Sequence, residues 1–137
     1  MKPSLAPAVA VAFSVAAVAH AETYDVAMLE ISGVPASVET PFALFGEATQ
    51  TLSWYVDTLI GSAADEELDA IIVRPKDALL TTSDIEEIGS AMLAARGAGK
   101  RVVVFAEDFG PAELLLGAHA DEAIIQQGGS ISLPGIY

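Results

Sequence analysis

The chain reads as an α/β protein built on a parallel sheet, and three observations lead there. β-rich apolar runs at residues 24–31, 68–73 and 101–106 alternate with two stretches whose apolar side chains recur at three- and four-residue spacing. The links between them are short, which argues for right-handed crossovers joining parallel neighbours. The last third, from Lys100 to Ser130, then repeats the theme as strand, tight turn, short helix and second short strand.

Each element has its own local reason. Residues 24–31 (Tyr-Asp-Val-Ala-Met-Leu-Glu-Ile) form a strand that stops at Ser32-Gly33, and the 34–41 stretch is a loop because it holds Pro35 and Pro41. Residues 47–64 form a helix with Leu52, Tyr55, Val56, Leu59 and Ile60 on its buried face and Trp54 at the edge of that stripe. In 68–73 the apolar end is unbroken, as expected of a strand covered on both faces.

The second helix begins near Ser83, which has capping-box spacing to Glu86. Ile85, Ile88, Met92 and Ala95 make its inner stripe, and Gly97 or Gly99 stops it. After the 101–106 strand, Asp108-Phe109-Gly110-Pro111 turns the chain into a short helix with proline at its first position. A short strand within 118–130 then closes on Gly128-Gly129-Ser130. This order puts a helix N-terminus against the end of a parallel strand, where backbone donors converge and hydrolases hold an oxyanion.

The first 21 residues belong to a different problem. Lys2 is the one charge before Glu22, the apolar run at 8–19 carries Val9, Val11, Phe13, Val15 and Val18, and Ala19-His20-Ala21 follows. A charged start, an apolar run of about 7–15 residues and a small-x-small end describe a secretory signal peptide with Ala19 and Ala21 at the cleavage site. The run is shorter than the ~17–25 residues of a membrane span unless the proline-containing flank is counted, so a retained anchor is the alternative. Cleavage would leave Glu22 as the first residue of a single exported domain, 22–137, periplasmic or associated with the inner membrane and facing the periplasm.

Composition narrows the function classes. Of 137 residues 53% are hydrophobic, ample for one core. Removal of Lys2 leaves five basic against nineteen acidic side chains, a formal charge of −14, which repels nucleic acid and anionic headgroups. Cysteine is absent, so neither disulfides nor thiol chemistry are available.

Candidate chemical residues mostly have structural explanations. Asp84, Glu86 and Glu87, with Asp77 nearby, suit the first turn of a helix rather than a metal site. Asp65-Glu66-Glu67 with Asp69 reads as a solvated turn without calcium-loop spacing. His20 lies in the leader, and His119 has no serine or cysteine at a partner position. Arg74 and Lys76 flank Pro75 after the second strand, Lys76 being the lysine nearest the expected active-site face. Gly128-Gly129-Ser130 is a turn rather than a phosphate cradle, since no P-loop lysine follows and Ile131-Ser132-Leu133 looks strand-like. Neither Ser130 nor Ser132 has a base placed by sequence. No cofactor and no metal is expected.

Several blocks taken together carry a resemblance. They are Leu68-Asp69-Ala70-Ile71-Ile72-Val73, the helix ending at Gly99-Lys100, the valine-rich strand, Ala120-Asp121 through Gly128-Gly129-Ser130, and Leu133-Pro134-Gly135-Ile136. In order and spacing the chain resembles the signal peptide peptidase (protease IV) family over residues 24–137. The resemblance implies a crotonase-like, Clp-protease-like spiral of ββα units, here incomplete. It also implies an exported or membrane-anchored serine peptidase that digests signal peptides with a serine and a lysine, and that self-associates.

On the family pattern the nucleophile would fall at Gly110 or Pro111, the lysine at Glu122, and a glycine pair contributing to the oxyanion hole at Leu79-Leu80. None of these positions carries the required group, and Leu79 and Leu80 read as packing residues. The expectation is therefore a non-catalytic N-terminal part of such a peptidase, with no catalytic residue of its own and the Ser/Lys chemistry beyond Tyr137. A non-enzymatic periplasmic binding or assembly module is the alternative. A crotonase-type acyl-CoA enzyme is a third, disfavoured because acyl-CoA is cytoplasmic.

Overall fold

The computed structural model describes residues 23–36 and 50–135. The leader, its cleavage residues Ala19 and Ala21, His20 and the 37–49 part of the first connection lie outside the described residues. The elements run β1 (Val26–Gly33), α1 (Leu52–Ala64), β2 (Ala70–Ala78), α2 (Thr82–Gly97), β3 (Arg101–Ala106), α3 (Pro111–Gly117) and β4 (Glu122–Ile125). The four strands form one sheet in the order β1-β2-β3-β4, and every pair is parallel.

That order has a direct consequence for packing. With right-handed crossovers, three successive steps in one direction place all three helices on the same face of the sheet. Alternation along the strands agrees. Leu29, Ile31, Ile71, Val73, Val102, Val104 and Ala106 are buried in one cluster with Tyr55, Leu59, Ile85, Ile88, Met92 and Leu116. Their neighbours Val26, Met28 and Ile124 are exposed on the opposite face, while Ile72, Val103 and Phe105 are half-buried. Among the described residues the helices cover one face of β2 and leave Ile72 on the other half-buried, where the sequence predicts cover on both.

The helices begin and end where short polar residues and glycines allow. Thr51 caps α1 by accepting the Trp54 N–H on its hydroxyl at 3.1 Å. The expected inner face of α1 holds for Tyr55 and Leu59, which are buried, but Ile60 is 51% exposed; among the described elements α1 lies chiefly against α2 and β1. In α2 the capping box is Thr81 with Asp84, not Ser83 with Glu86. Asp84 N–H donates to Thr81 Oγ1 at 3.1 Å, and Thr81 N–H donates to Asp84 Oδ2 at 2.9 Å. Both pairs have the same spacing, so composition alone did not separate them. Gly99, at φ +89°, then turns the chain so that Lys100 N–H reaches Ala95 O at 3.0 Å.

β2 runs further than the sequence suggested and contains Arg74, Pro75 and Lys76. Its pairing with β3 is recorded only as far as Val73↔Val104, whereas pairing with β1 continues through Ile31↔Pro75 and Ser32↔Lys76. Locally it is an edge strand, where a missing proline N–H is tolerated. Asp77, at φ +50°, marks the register shift that sets Gly33 opposite Ala78. Beyond β4 only Ile131 of the strand-like Ile131-Ser132-Leu133 pairs, as a single parallel bridge to Phe109.

The core is apolar throughout, and no buried side-chain polar atom among the described residues lacks a partner. Each fully buried aliphatic side chain stabilises the fold by about 1.5–3 kcal/mol. Ile88, fully buried in the middle of α2, packs into this cluster. Ile88→Ala is expected to cost about 2–5 kcal/mol, read as a lower urea midpoint with an unchanged slope. Gly89 is required for a different reason, since a Cβ there would lie 2.6 Å from the His119 ring. Gly89→Ala should cost about 1–3 kcal/mol by overpacking, and His119→Ala in the same chain should recover part of it.

Candidate functional site

In parallel α/β sheets ligands bind beyond the carboxyl ends of the strands, and a cleft of about 380 Å³ opens there. Its lining includes Arg74, Lys76, Asp77 and Leu79 from the end of β2, Glu107 and Asp108 from the turn after β3, and Glu113 from α3. This is the edge at which the resemblance asks for a nucleophile, a base and oxyanion donors.

At the position expected for the nucleophile, Gly110 caps α3 and Pro111 is its first residue. Gly110 N–H donates to Glu113 Oε2 at 2.9 Å. Pro111 has no N–H to offer. Of the backbone donors at this turn, that of Gly110 is thus taken by a carboxylate of the same helix and that of Pro111 is missing. A negatively charged side chain here also occupies the electrostatic role an oxyanion would take.

The position expected for the base lies elsewhere. Glu122 opens β4 opposite Val103, three residues before the end of β3, and its carboxylate receives the Arg101 guanidinium at 2.8 Å. That ion pair holds the Arg101 pKa above its ordinary value. Leu79 is 68% exposed at the cleft, so its reading as a packing residue is corrected; Leu80 does pack against the core. Lys76 lines the cleft and is exposed. Arg74 lies 3.2 Å from Glu107 Oε1 and 4.0 Å from Glu30 Oε2, with its guanidinium 5.9 Å from the Phe105 ring centre.

His119 sits in the turn after α3, half-buried, with Nδ1 2.8 Å from Leu115 O and its ring against Gly89. It belongs to the α2–α3 packing and not to the cleft. Asp84 serves the α2 cap, while Glu86 and Glu87 border an open groove with Val56, Ser83 and Ser90. Among the described residues no three His, Cys, Asp or Glu side chains are placed to share a metal ion. Asp65 Oδ1 accepts the Glu67 N–H at 2.9 Å, and Asp69 Oδ2 accepts the Asp25 N–H at 3.0 Å. Asp65 is thus bonded within its own turn, while Asp69 ties that turn to the start of β1.

One pairing was not legible in the sequence. Asp108 Oδ1 accepts both the Ser130 N–H at 2.7 Å and the Ser130 hydroxyl at 2.8 Å, across 22 residues. Phe109 N–H donates to Ser130 O at 2.9 Å and Ser132 N–H to Phe109 O at 2.8 Å, which fixes the chain after β4 alongside the β3–α3 turn. Gly129 is required at this contact, because a Cβ there would lie 1.9 Å from Glu107 O. The two bonds from Ser130 hold the Asp108 carboxyl below its ordinary value of 3.8. A carboxylate so stabilised is a poor general base.

The geometry defines a parallel α/β protein with a cleft at its carboxyl edge and no assembled serine–base pair among the described residues. No family model matches the chain, and no curated protein matches it.

Asp108 gives a testable pH dependence. Its carboxyl is depressed on folding, so its contribution is present above the ordinary value of 3.8 and is lost as pH falls through the lower folded value. In hydrogen exchange, Ser130 and Ser132 amides should be protected at neutral pH and lose part of that protection in acid. Asp108→Ala should remove the same part at neutral pH and flatten the acid response; an equal response in both proteins would contradict the assignment.

Proposed function

We propose that this chain is the N-terminal, non-catalytic scaffold of an exported serine peptidase of the signal peptide peptidase type, with a crotonase-like fold. In this reading the serine and lysine that cleave hydrophobic peptides lie outside these 137 residues, and the domain contributes architecture and an assembly surface in the periplasm. The observation that carries the proposal is the Gly110–Glu113 contact beside Pro111. At the turn where the chemistry needs a hydroxyl, the chain has Gly110 and Pro111, and the Gly110 donor is taken by Glu113.

Two further features support it. Glu122, at the lysine position, is committed to Arg101 on the uncovered side of the sheet. That uncovered face, with Met28 59% exposed, is what a sheet presents when other polypeptide completes the second layer.

The purified chain should hydrolyse no fluorogenic hydrophobic peptide above the uncatalysed rate, and Ser130→Ala and Ser132→Ala should leave that blank unchanged. Hydrolysis that a serine-directed phosphonate abolishes would overturn the scaffold reading.

A further inference from the structure

We infer that Met28 is a reversible oxidation site, at which peroxide converts the thioether to the sulfoxide in the folded chain while the sheet stays intact. The inference goes beyond the scaffold proposal and does not rest on it.

The first observation is which sulfur a reagent can reach. Cysteine is absent, so methionine carries all the sulfur in this chain. The described residues hold two methionines, Met28 and Met92, and Met1 lies outside them. Met92 is 0% exposed within the core cluster, whereas Met28 is 59% exposed on β1. Oxidation follows access to the sulfur, so the two side chains should differ widely in rate.

The second is position. β1 is an edge of the sheet, so Met28 has a neighbouring strand on one side only, where Ile72 stands opposite and Val103 continues the row. Ile72 and Val103 are half-buried, and Val26, two residues before Met28 on the same face, is 45% exposed.

The third is what the fold requires of this residue. Leu29 and Ile31 are the residues of β1 that join the core, and alternation puts them on the other face. Pairing of β1 with β2 runs through the backbone and leaves the Met28 side chain out. A sulfoxide oxygen in the core would be a buried polar group in want of a partner; at Met28 water solvates it. One position in an apolar row thus becomes polar without loss of packing.

The step balances with hydrogen peroxide as oxidant. One peroxide oxygen bonds to Met28 Sδ, the O–O bond breaks and water leaves, so sulfur is oxidised by two electrons and peroxide is reduced. The return needs an external dithiol, because the chain has no thiol of its own. Methionine sulfoxide reductases remove the oxygen as water while the dithiol becomes a disulfide, with one enzyme class for each sulfoxide epimer.

The test treats the full chain with millimolar hydrogen peroxide, samples it over time and measures sulfoxide at Met28 and Met92 by mass spectrometry after digestion. Met28 is expected to oxidise within about threefold of its own rate in the urea-unfolded chain, and Met92 at least about tenfold more slowly than Met28. The oxidised chain should keep its far-UV dichroism spectrum and its urea midpoint, and both reductase classes with dithiothreitol should restore Met28 in the folded chain. Oxidation of Met28 as slow as that of Met92 would overturn the inference. So would a urea midpoint that peroxide lowers in the natural chain but not in Met28→Leu, or a sulfoxide that the reductases repair only after unfolding. The readout is independent of peptide hydrolysis: failure here leaves the scaffold proposal standing, and hydrolysis leaves this inference standing.

Discussion

Everything in this molecule depends on the order of four parallel strands. Because the chain steps from β1 to β4 without reversing, its crossover helices gather on one face and a single apolar cluster forms between them and the sheet. Period-two alternation then decides the fate of neighbouring residues: Leu29 is buried and Met28 exposed, one residue apart on the same strand. The same constraint brings the ends of β2 and β3 and the start of α3 together at one edge, which is why a cleft forms there and why its lining comes from three elements.

Much of this was written in the sequence. The valine-rich 101–106 run is strand β3 as read, and Ile85, Ile88, Met92 and Ala95 face the core as their spacing predicts. What the sequence left open was decided by partners that local pattern does not contain. Thr81 rather than Ser83 caps α2, since both have an acidic residue three positions on. β2 continues through Pro75 because only β1 pairs with it there. Ile60 sits on the expected stripe of α1 yet is exposed, because the described elements that pack on α1 meet its Tyr55–Leu59 side. Lys100, which reads as part of a helix stop, extends its ammonium to Asp65 O at 2.5 Å and Leu68 O at 2.6 Å and so ties the α1–β2 turn to the start of β3.

The candidate site was legible mainly in what it lacks. Set against the resemblance, Gly110, Pro111 and Glu122 stand where serine–lysine chemistry would need other groups. The structure adds how those residues are used instead: Glu113 takes up the Gly110 donor, and Arg101 takes up Glu122. The Asp108–Ser130 clamp spans 22 residues and depends on Gly129 lying against the Glu107 carbonyl, a contact that no motif or periodicity announces. Long-range polar pairs of this kind are set by how the chain closes, not by the pattern on either side.

The central claim, one covered face and one uncovered face on a single parallel sheet, is tested most directly by placing the same charge on adjacent residues. Met28→Lys and Leu29→Lys would be compared by urea denaturation in the chain beginning at Glu22. Met28→Lys should change stability by no more than about 1 kcal/mol, as for an exposed site. Leu29→Lys, which buries an unpaired ammonium in the apolar cluster opposite Val73, should leave the chain largely unfolded. Equal losses at the two positions would contradict the account.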